Sequence, residues 1–230
     1  MCFHLSEQDA AAFVERGALR IRAALDADSL AELGAAIAKW QPGHAGVRLQ
    51  RIPALRSFLA PSGQVGRLAA AVLGEATRAV RAVFFDKTAA SNWSVPWHQD
   101  RTIVVARRLD VAGFGPWTIK SGLLHVAPPY DVLAGMVTLR LHLDAVPATN
   151  APLLAAPGSH RLGRIAEADV RSVVQQCGTI VCCAEAGDVW LYATPILHAS
   201  EAAAEPEHRR VLQVDFARDE LPGGLEWLGV

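Results

Sequence analysis

Ala79-Val-Arg-Ala-Val-Phe-Phe-Asp86 is the stretch where the periodicity of the chain changes. Val80, Ala82, Phe84 and Asp86 alternate with Arg81, Val83 and Phe85, which is the period of two expected of a strand. Short apolar segments separated by turn residues follow, and the spacing predicts strands at 79–86, 102–107, 136–143, 153–156, 179–183, 188–192 and 209–217, with a short helix near 166–175. Many short strands of this kind predict a sandwich or jelly roll. Upstream the pattern is helical. Ser6-Glu-Gln-Asp9 caps a short helix that Gly17 can stop, and Leu19-Arg-Ile-Arg22 alternates like a strand. Ser29-Leu-Ala-Glu32 reads as a capping box opening a helix to about Trp40, and a third helix is expected from Val65 to Leu73, ended by Gly74. The expectation is one domain of 230 residues, mostly β with flanking helices: mainly helical support over 1–78, a jelly-roll core over 79–217 and a tail over 218–230.

Composition narrows the partners. Half of the residues are apolar, enough for a substantial core, and the formal net charge of -1 with no run of Lys or Arg gives no reason to expect nucleic acid. The first residues lack the basic segment and apolar run of a signal peptide, and no stretch approaches the ~20 apolar residues of a membrane span. A cytoplasmic protein acting on a small molecule is expected. Cys2, Cys177, Cys182 and Cys183 form no CxxC pair. Cys182 and Cys183, adjacent on an extended segment, point to opposite faces, so idle or buried thiols are expected.

Two motifs carry chemistry. Trp97-His98-Gln99-Asp100 places an imidazole and a carboxylate at i and i+2, on one face of an extended segment. His198 follows the strand Asp188-Val-Trp-Leu-Tyr192 and a Thr-Pro turn. Two His and one carboxylate on one face of an octahedron leave three positions open, which suits Fe(II) that must also hold a bidentate co-substrate and dioxygen. Three protein ligands with an open position also suit catalytic zinc.

The sequence resembles the phytanoyl-CoA dioxygenase family of Fe(II)/2-oxoglutarate-dependent oxygenases from about residue 12 onward. Four blocks stand in the family's order: Trp97-His-Gln-Asp100; Asn150-Ala-Pro-Leu153 leading to Pro157-Gly-Ser-His160; Gly187-Asp-Val-Trp190; and His198 with an arginine after it. The resemblance implies a double-stranded β-helix, or cupin-like jelly roll. It implies that His98, Asp100 and His198 bind iron, and that Arg209, eleven residues past His198, pairs with the far carboxylate of 2-oxoglutarate. Arg210 is adjacent and on the opposite strand face, so only one of the two can point inward. Ser200 matches a position that hydrogen-bonds the same carboxylate. Thr138, Arg140 and His142 share one face of a strand. Arg140, standing where many members place tryptophan, is either a second anion contact or one half of a structural ion pair. Lys87 and Asn92 lie just upstream of the HxD segment and could face the co-substrate, with a turn role as the alternative for Asn92. The long stretch from Arg107 to Pro129 reads as a lid or binding loop, in which Trp117, Lys120 and His125 are candidates for substrate contact. Trp117 could equally anchor that loop to the sheet.

The activity implied is hydroxylation of an unactivated C–H bond of a small metabolite or natural-product intermediate, with release of succinate and CO2. Asp100 favours this over halogenation, since related halogenases replace the carboxylate with a small residue. Two alternatives stay open: a non-redox isomerase or hydrolase using zinc or manganese at the same triad, and a catalytically inactive ligand-binding module.

Overall fold

The computed structural model describes residues 4–39 and 46–230. Along the chain it contains α1 (Glu7–Arg16), β1 (Ala18–Ile21), α2 (Ala27–Ile37), β2 (Val47–Leu49), α3 (Pro53–Leu59), α4 (Gly66–Leu73), β3 (Arg78–Lys87), β4 (Val95–His98), β5 (Ile103–Val104), β6 (Trp117–Lys120) and β7 (Leu123–Val126). The second half contains α5 (Tyr130–Ala134), β8 (Met136–His142), β9 (Leu153–Ala155), α6 (Val170–Cys177), β10 (Ile180–Cys182), β11 (Val189–Ala193), β12 (His198–Ser200) and β13 (Arg209–Ala217), with short 3-10 turns between.

A six-stranded antiparallel sheet in the order β1-β11-β8-β13-β3-β2 faces a four-stranded one in the order β10-β9-β12-β4. A three-stranded sheet, β5-β7-β6, closes one end. This is the double-stranded β-helix, the cupin-like jelly roll expected, backed by helices.

The alternation of β3, β8 and β13 divides the large sheet into two chemical faces. Ala82, Phe84, Leu139, Leu141, Leu212 and Val214 point to the helices and pack with Leu33, Leu55 and Leu68 in the main core. Completely burying one such side chain contributes roughly 1.5–3 kcal/mol, which is what holds the helical layer down. The opposite face carries Arg81, Thr138, Arg140, His142, Gln213 and Asp215, all buried or nearly so. Buried polar side chains need partners, and part of the set supplies its own: Thr138 Oγ1 donates to Asp215 at 3.0 Å, and Arg140 Nη1 donates to Gln213 Oε1 at 2.8 Å, whereas both ring nitrogens of His142 are left unpartnered.

Four expectations from the sequence need correction. The cap of α2 is Asp26, whose carboxylate accepts from Ser29 N at 2.9 Å, so the helix starts before the Ser29 box; its expected end at Trp40 lies outside the described residues. The first 78 residues contribute, beside the strand expected at 19–22 (β1), the unexpected β2, and these two are the edge strands of the large sheet. The stretch from Arg107 to Pro129 is not a free loop, because β6 and β7 form a hairpin whose register runs Trp117↔Val126 to Lys120↔Leu123. The tail packs back on the domain, with Leu221 and Leu225 in a second apolar cluster and Trp227 bridged to Val105. The reading of α1 holds: Ser6 caps it, and Gly17 ends it in the left-handed region, at φ 73; α3, α5 and β12 stand where no element was expected. Gly17 also lies against the His160 ring, where a Cβ would collide. Cys177, Cys182 and Cys183 are free, with Cys182 buried; Cys2 lies outside the described residues. Among the described residues, no helix is long and apolar enough to cross a membrane.

Candidate metal centre

His98 and His198 are direct cross-strand partners in the β4–β12 pair. Facing positions on neighbouring strands share a side of the sheet, and the two rings lie 4.3 Å apart between centroids. Asp100, two residues past His98, completes the group: one ligand atom from each of the three residues lies within 4.8 Å of the others. Each imidazole is held by its Nδ1, with His98 at 2.8 Å from Pro96 O and His198 at 3.0 Å from Ile196 O. A carbonyl can only accept, so the proton sits on Nδ1 and the Nε2 lone pair is left for an ion, the arrangement usual for metal-binding histidine. Burial, partly offset by Asp100, pulls His198 down to about 4, so the ring is neutral and ready to ligate at neutral pH.

Asp100 is fixed from the large sheet. Arg81 Nη2 donates to Asp100 Oδ2 at 3.0 Å, while its Nε donates to Asp215. Burial alone would raise the Asp100 carboxyl, but Arg81 and the two neighbouring imidazoles outweigh it and hold it below the usual carboxylate range. Asp215, buried and facing Asp100, is pushed upward instead. Gln99, between the two ligands, points the other way: it donates to Gly163 O at 3.0 Å and Pro195 O at 2.8 Å and accepts from Ile165 N at 2.9 Å. It ties the HxD segment to the turn that delivers His198.

The triad sits where two cavities meet. The inner one, about 680 Å³, runs between the sheets and is lined by Arg140, Ser200, Arg209 and Gln213. The outer one, about 880 Å³, opens past Trp97, Lys120, His125 and α6. His98, Asp100, Arg81 and Arg48 line both.

Of the adjacent arginines, Arg209 turns inward and is 3% exposed, whereas Arg210 turns out to Asp144, with Nη2 at 2.6 Å from Oδ1. Arg209 Nη1 donates to Ala151 O, presented by a residue with φ 47, and its Nε is buried without a partner. Burial, together with nearby Arg140, pulls Arg209 down to about 9. Among the described residues Arg140 is not half of an ion pair; it holds Gln213, lies over the Phe85 ring at 5.4 Å, and leaves its Nε unpartnered. Two buried guanidiniums without carboxylates are costly unless an anion joins them.

The other sequence candidates divide. Lys87 lies behind the inner cavity, donating to Ser200 Oγ at 3.1 Å, Glu201 O at 2.9 Å and Trp93 O at 2.5 Å. Burial and the charges of Arg209 and Arg140 pull it down to about 7. Asn92 does not line the cavity: its amide donates to Ala203 O at 2.9 Å and accepts from Ala203 N at 2.6 Å, so both ends are occupied in pinning the turn after β12. Trp117 lines neither cavity; it packs in the second apolar cluster, with the Arg108 guanidinium 5.4 Å from its ring. It anchors the hairpin. Lys120 and His125 do line the outer cavity.

A double-stranded β-helix with two His and one Asp gathered at the junction of two cavities defines the class as a metal-dependent jelly-roll enzyme. The chain belongs to the phytanoyl-CoA dioxygenase (PhyH) family, whose model matches residues 13–211. That family uses Fe(II), 2-oxoglutarate and dioxygen. Among solved structures, the chain is similar to apo EctD from S. alaskensis, with a TM-score of 0.72 and 17% identity over 98% of this chain and 81% of that one. It is also similar to AviO1 from Streptomyces viridochromogenes Tue57, with a TM-score of 0.66 and 19% identity over 97% and 98% of the two chains. The epimerase SnoN, crystallised with Fe3+, alpha ketoglutarate and nogalamycin RO, matches with a TM-score of 0.67 and 19% identity over 95% and 90%. No curated protein matches the sequence.

Proposed function

We propose that this chain is an Fe(II)- and 2-oxoglutarate-dependent dioxygenase that hydroxylates an unactivated C–H bond of a small metabolite or natural-product intermediate. The observation that carries the reading is the pairing of two features in one cavity: a triad presenting two imidazole lone pairs and a carboxylate, and the buried Arg209 with no carboxylate of its own. A metal alone would satisfy the first. The second asks for an anion, and a planar guanidinium fork matches a carboxylate.

In this reading His98, Asp100 and His198 hold the iron, and Arg209 holds the far carboxylate of 2-oxoglutarate. Ser200 stands beside it, with Lys87 donating to its oxygen at 3.1 Å and its own hydroxyl donating at 3.5 Å to Glu201 O, a long bond that a carboxylate oxygen would replace. Arg140, steadied by Gln213 and Phe85, supplies a second positive charge to the inner cavity. Iron with bound 2-oxoglutarate and dioxygen supplies the oxidising power for C–H cleavage, with succinate and CO2 as co-products. The residues of this chain orient, neutralise charge and separate co-substrate from substrate on the two sides of the triad. Among the neighbours, EctD has been crystallised with 2-oxoglutarate and 5-hydroxyectoine, a pairing that fits hydroxylation.

The test is an anaerobic titration of the apo-protein with Fe(II), then 2-oxoglutarate, following the visible charge-transfer absorption of the chelate. The band should require both additions and be absent in His98→Ala. A protein that gives no band while retaining zinc or manganese would be a non-redox metal enzyme instead.

A further inference from the structure

The outer cavity carries positive charge that iron and 2-oxoglutarate do not use. Arg48, on edge strand β2, lines both cavities beside the triad. Its Nη1 donates to Ser121 Oγ in the β6–β7 turn at 2.9 Å, and its Nε is buried without a partner. No carboxylate pairs with it among the described residues, and residues 1–3 and 40–45 contain no Asp or Glu that could. Two acidic residues, Asp100 and Glu167, line the outer cavity; Asp100 is taken by Arg81, and Glu167 lies 3.7 Å from Arg101. Arg48, Lys120 and Arg171 are left, none in an ion pair among the described residues. Trp97, Val170 and Val174 give the same cavity an apolar wall.

His125 adds an acceptor to the same cavity. It is fully buried, its Nδ1 lies 3.0 Å from Leu123 O, and its Nε2 has no partner. With the proton on Nδ1, Nε2 is a lone pair, which repels an anion and accepts from an O–H or N–H.

We propose that the outer cavity binds a primary substrate carrying an oxyanion, a carboxylate or a phosphate, with Arg48, steadied by Ser121 from the inner wall, as its anchor. Lys120 and Arg171, exposed at the mouth, draw the anion in, and the apolar wall receives the rest of the molecule. A cavity lined by one sign of charge concentrates ligands of the other. That the molecule held there is the substrate rests on the function proposed above; that the cavity holds an oxyanion does not.

The experiment uses the anaerobic protein loaded with Fe(II) and 2-oxoglutarate, so that the inner cavity is filled. Inorganic phosphate, acetate and neutral acetamide are titrated separately, following tryptophan fluorescence, to which Trp97 in the cavity wall contributes, and the charge-transfer band. Phosphate or acetate should saturate and acetamide should not, and the stronger of the two names the oxyanion. Arg48→Gln should weaken that binding by about tenfold or more, Arg48→Lys should restore part of it, and Ser121→Ala, which removes the partner of Arg48 Nη1, should weaken it less. Because both residues also line the inner cavity, each variant is titrated at a 2-oxoglutarate concentration that saturates its own band. Equal binding of acetamide, no saturable binding of either oxyanion, or an unchanged affinity in Arg48→Gln overturns the proposal. Should the parent give no charge-transfer band, the dioxygenase reading fails by itself, and the same titration of the metal-free protein, with Arg209→Gln closing off the inner anion site, still decides the oxyanion site. If Arg48→Gln does not fold, Arg48→Lys and Ser121→Ala carry the comparison.

Discussion

The two cavities on either side of the triad are built by different means. The polar walls of the inner one come from inward positions on three adjacent long strands: Arg81 on β3, Arg140 on β8, and Arg209 and Gln213 on β13. Every one of these is set by hydrogen-bonded register, so a shift of one residue would turn all of them away. The outer cavity is assembled from a three-residue edge strand, a hairpin and the helix α6. Such peripheral elements change without disturbing the ladder behind them. On the proposed reading the contrast is that of co-substrate and substrate: the register-set part of the sheet holds 2-oxoglutarate, and the peripheral elements choose the molecule to be oxidised.

The sharpest way to break this contrast is to separate the adjacent arginines. Arg209→Gln should weaken 2-oxoglutarate binding by about a hundredfold, the roughly 3 kcal/mol expected when one partner of a buried charge pair is removed. Arg210→Gln should stay within about twofold, because an exposed pair such as Arg210–Asp144 contributes little. Titration of the charge-transfer band measures both, and equal losses would mean that strand register does not set the inner cavity. A smaller effect is expected at Arg81, which holds Asp100 without belonging to the triad. Arg81→Gln should lower iron affinity by roughly 10- to 100-fold, the usual range for a group that orients a ligand, and should lower the melting temperature because Asp215 is left buried without its partner. Competition with a chelator, beside a thermal melt, separates the two.

The smallest effect is a pH dependence. Lys87 is pulled down to about 7, first by burial and then by Arg209 and Arg140. A dianion in the inner cavity favours the protonated amine, so binding takes up a proton above about pH 7 and 2-oxoglutarate affinity falls as pH rises. Between about pH 6.5 and 8.5 the loss should be a few-fold in the parent and flat in Lys87→Met. A slope that persists in the variant would assign the proton to another group.

What the sequence shows about these regions follows the same division. Period-two alternation exposed β3, β8 and β13, with the face that carries Arg140, and showed that only one of Arg209 and Arg210 can point inward, because a long strand repeats its pattern often enough to be read. The choice of Arg209 came from the family resemblance, through its distance of eleven residues from His198. The blocks around Asn150 and Ser159 were visible as motifs, and the structure gives them work: Ala151 O receives Arg209, and Ser159 Oγ accepts from Leu197 N at 2.9 Å, just before His198. Arg48 was not visible, since Val47–Leu49 is too short to display a period. The β6–β7 hairpin left a signal that was passed over. Ser121-Gly122 is a two-residue turn with φ 50 and 76, the positive values that hairpin turns require. Arg81 and Gln99 escaped for another reason: a residue that acts through its neighbours is recognised only when the neighbours are in place. Asn92 and Trp117 were near the right elements, and their side chains were spent on anchoring them.

The interval from His198 to Arg209 has a consequence of its own. His198 lies in the four-stranded sheet and Arg209 in the six-stranded one, and the turn joining them is tied down by Lys87 at Glu201, Asn92 at Ala203 and the Thr149 carbonyl at Ala204. Packed sheets lie about 10 Å apart, so on the proposed reading a diacid must bridge from one sheet to the other. The fold thereby works as a length gauge. On that reading a dicarboxylate one carbon shorter or longer should bind more weakly than 2-oxoglutarate.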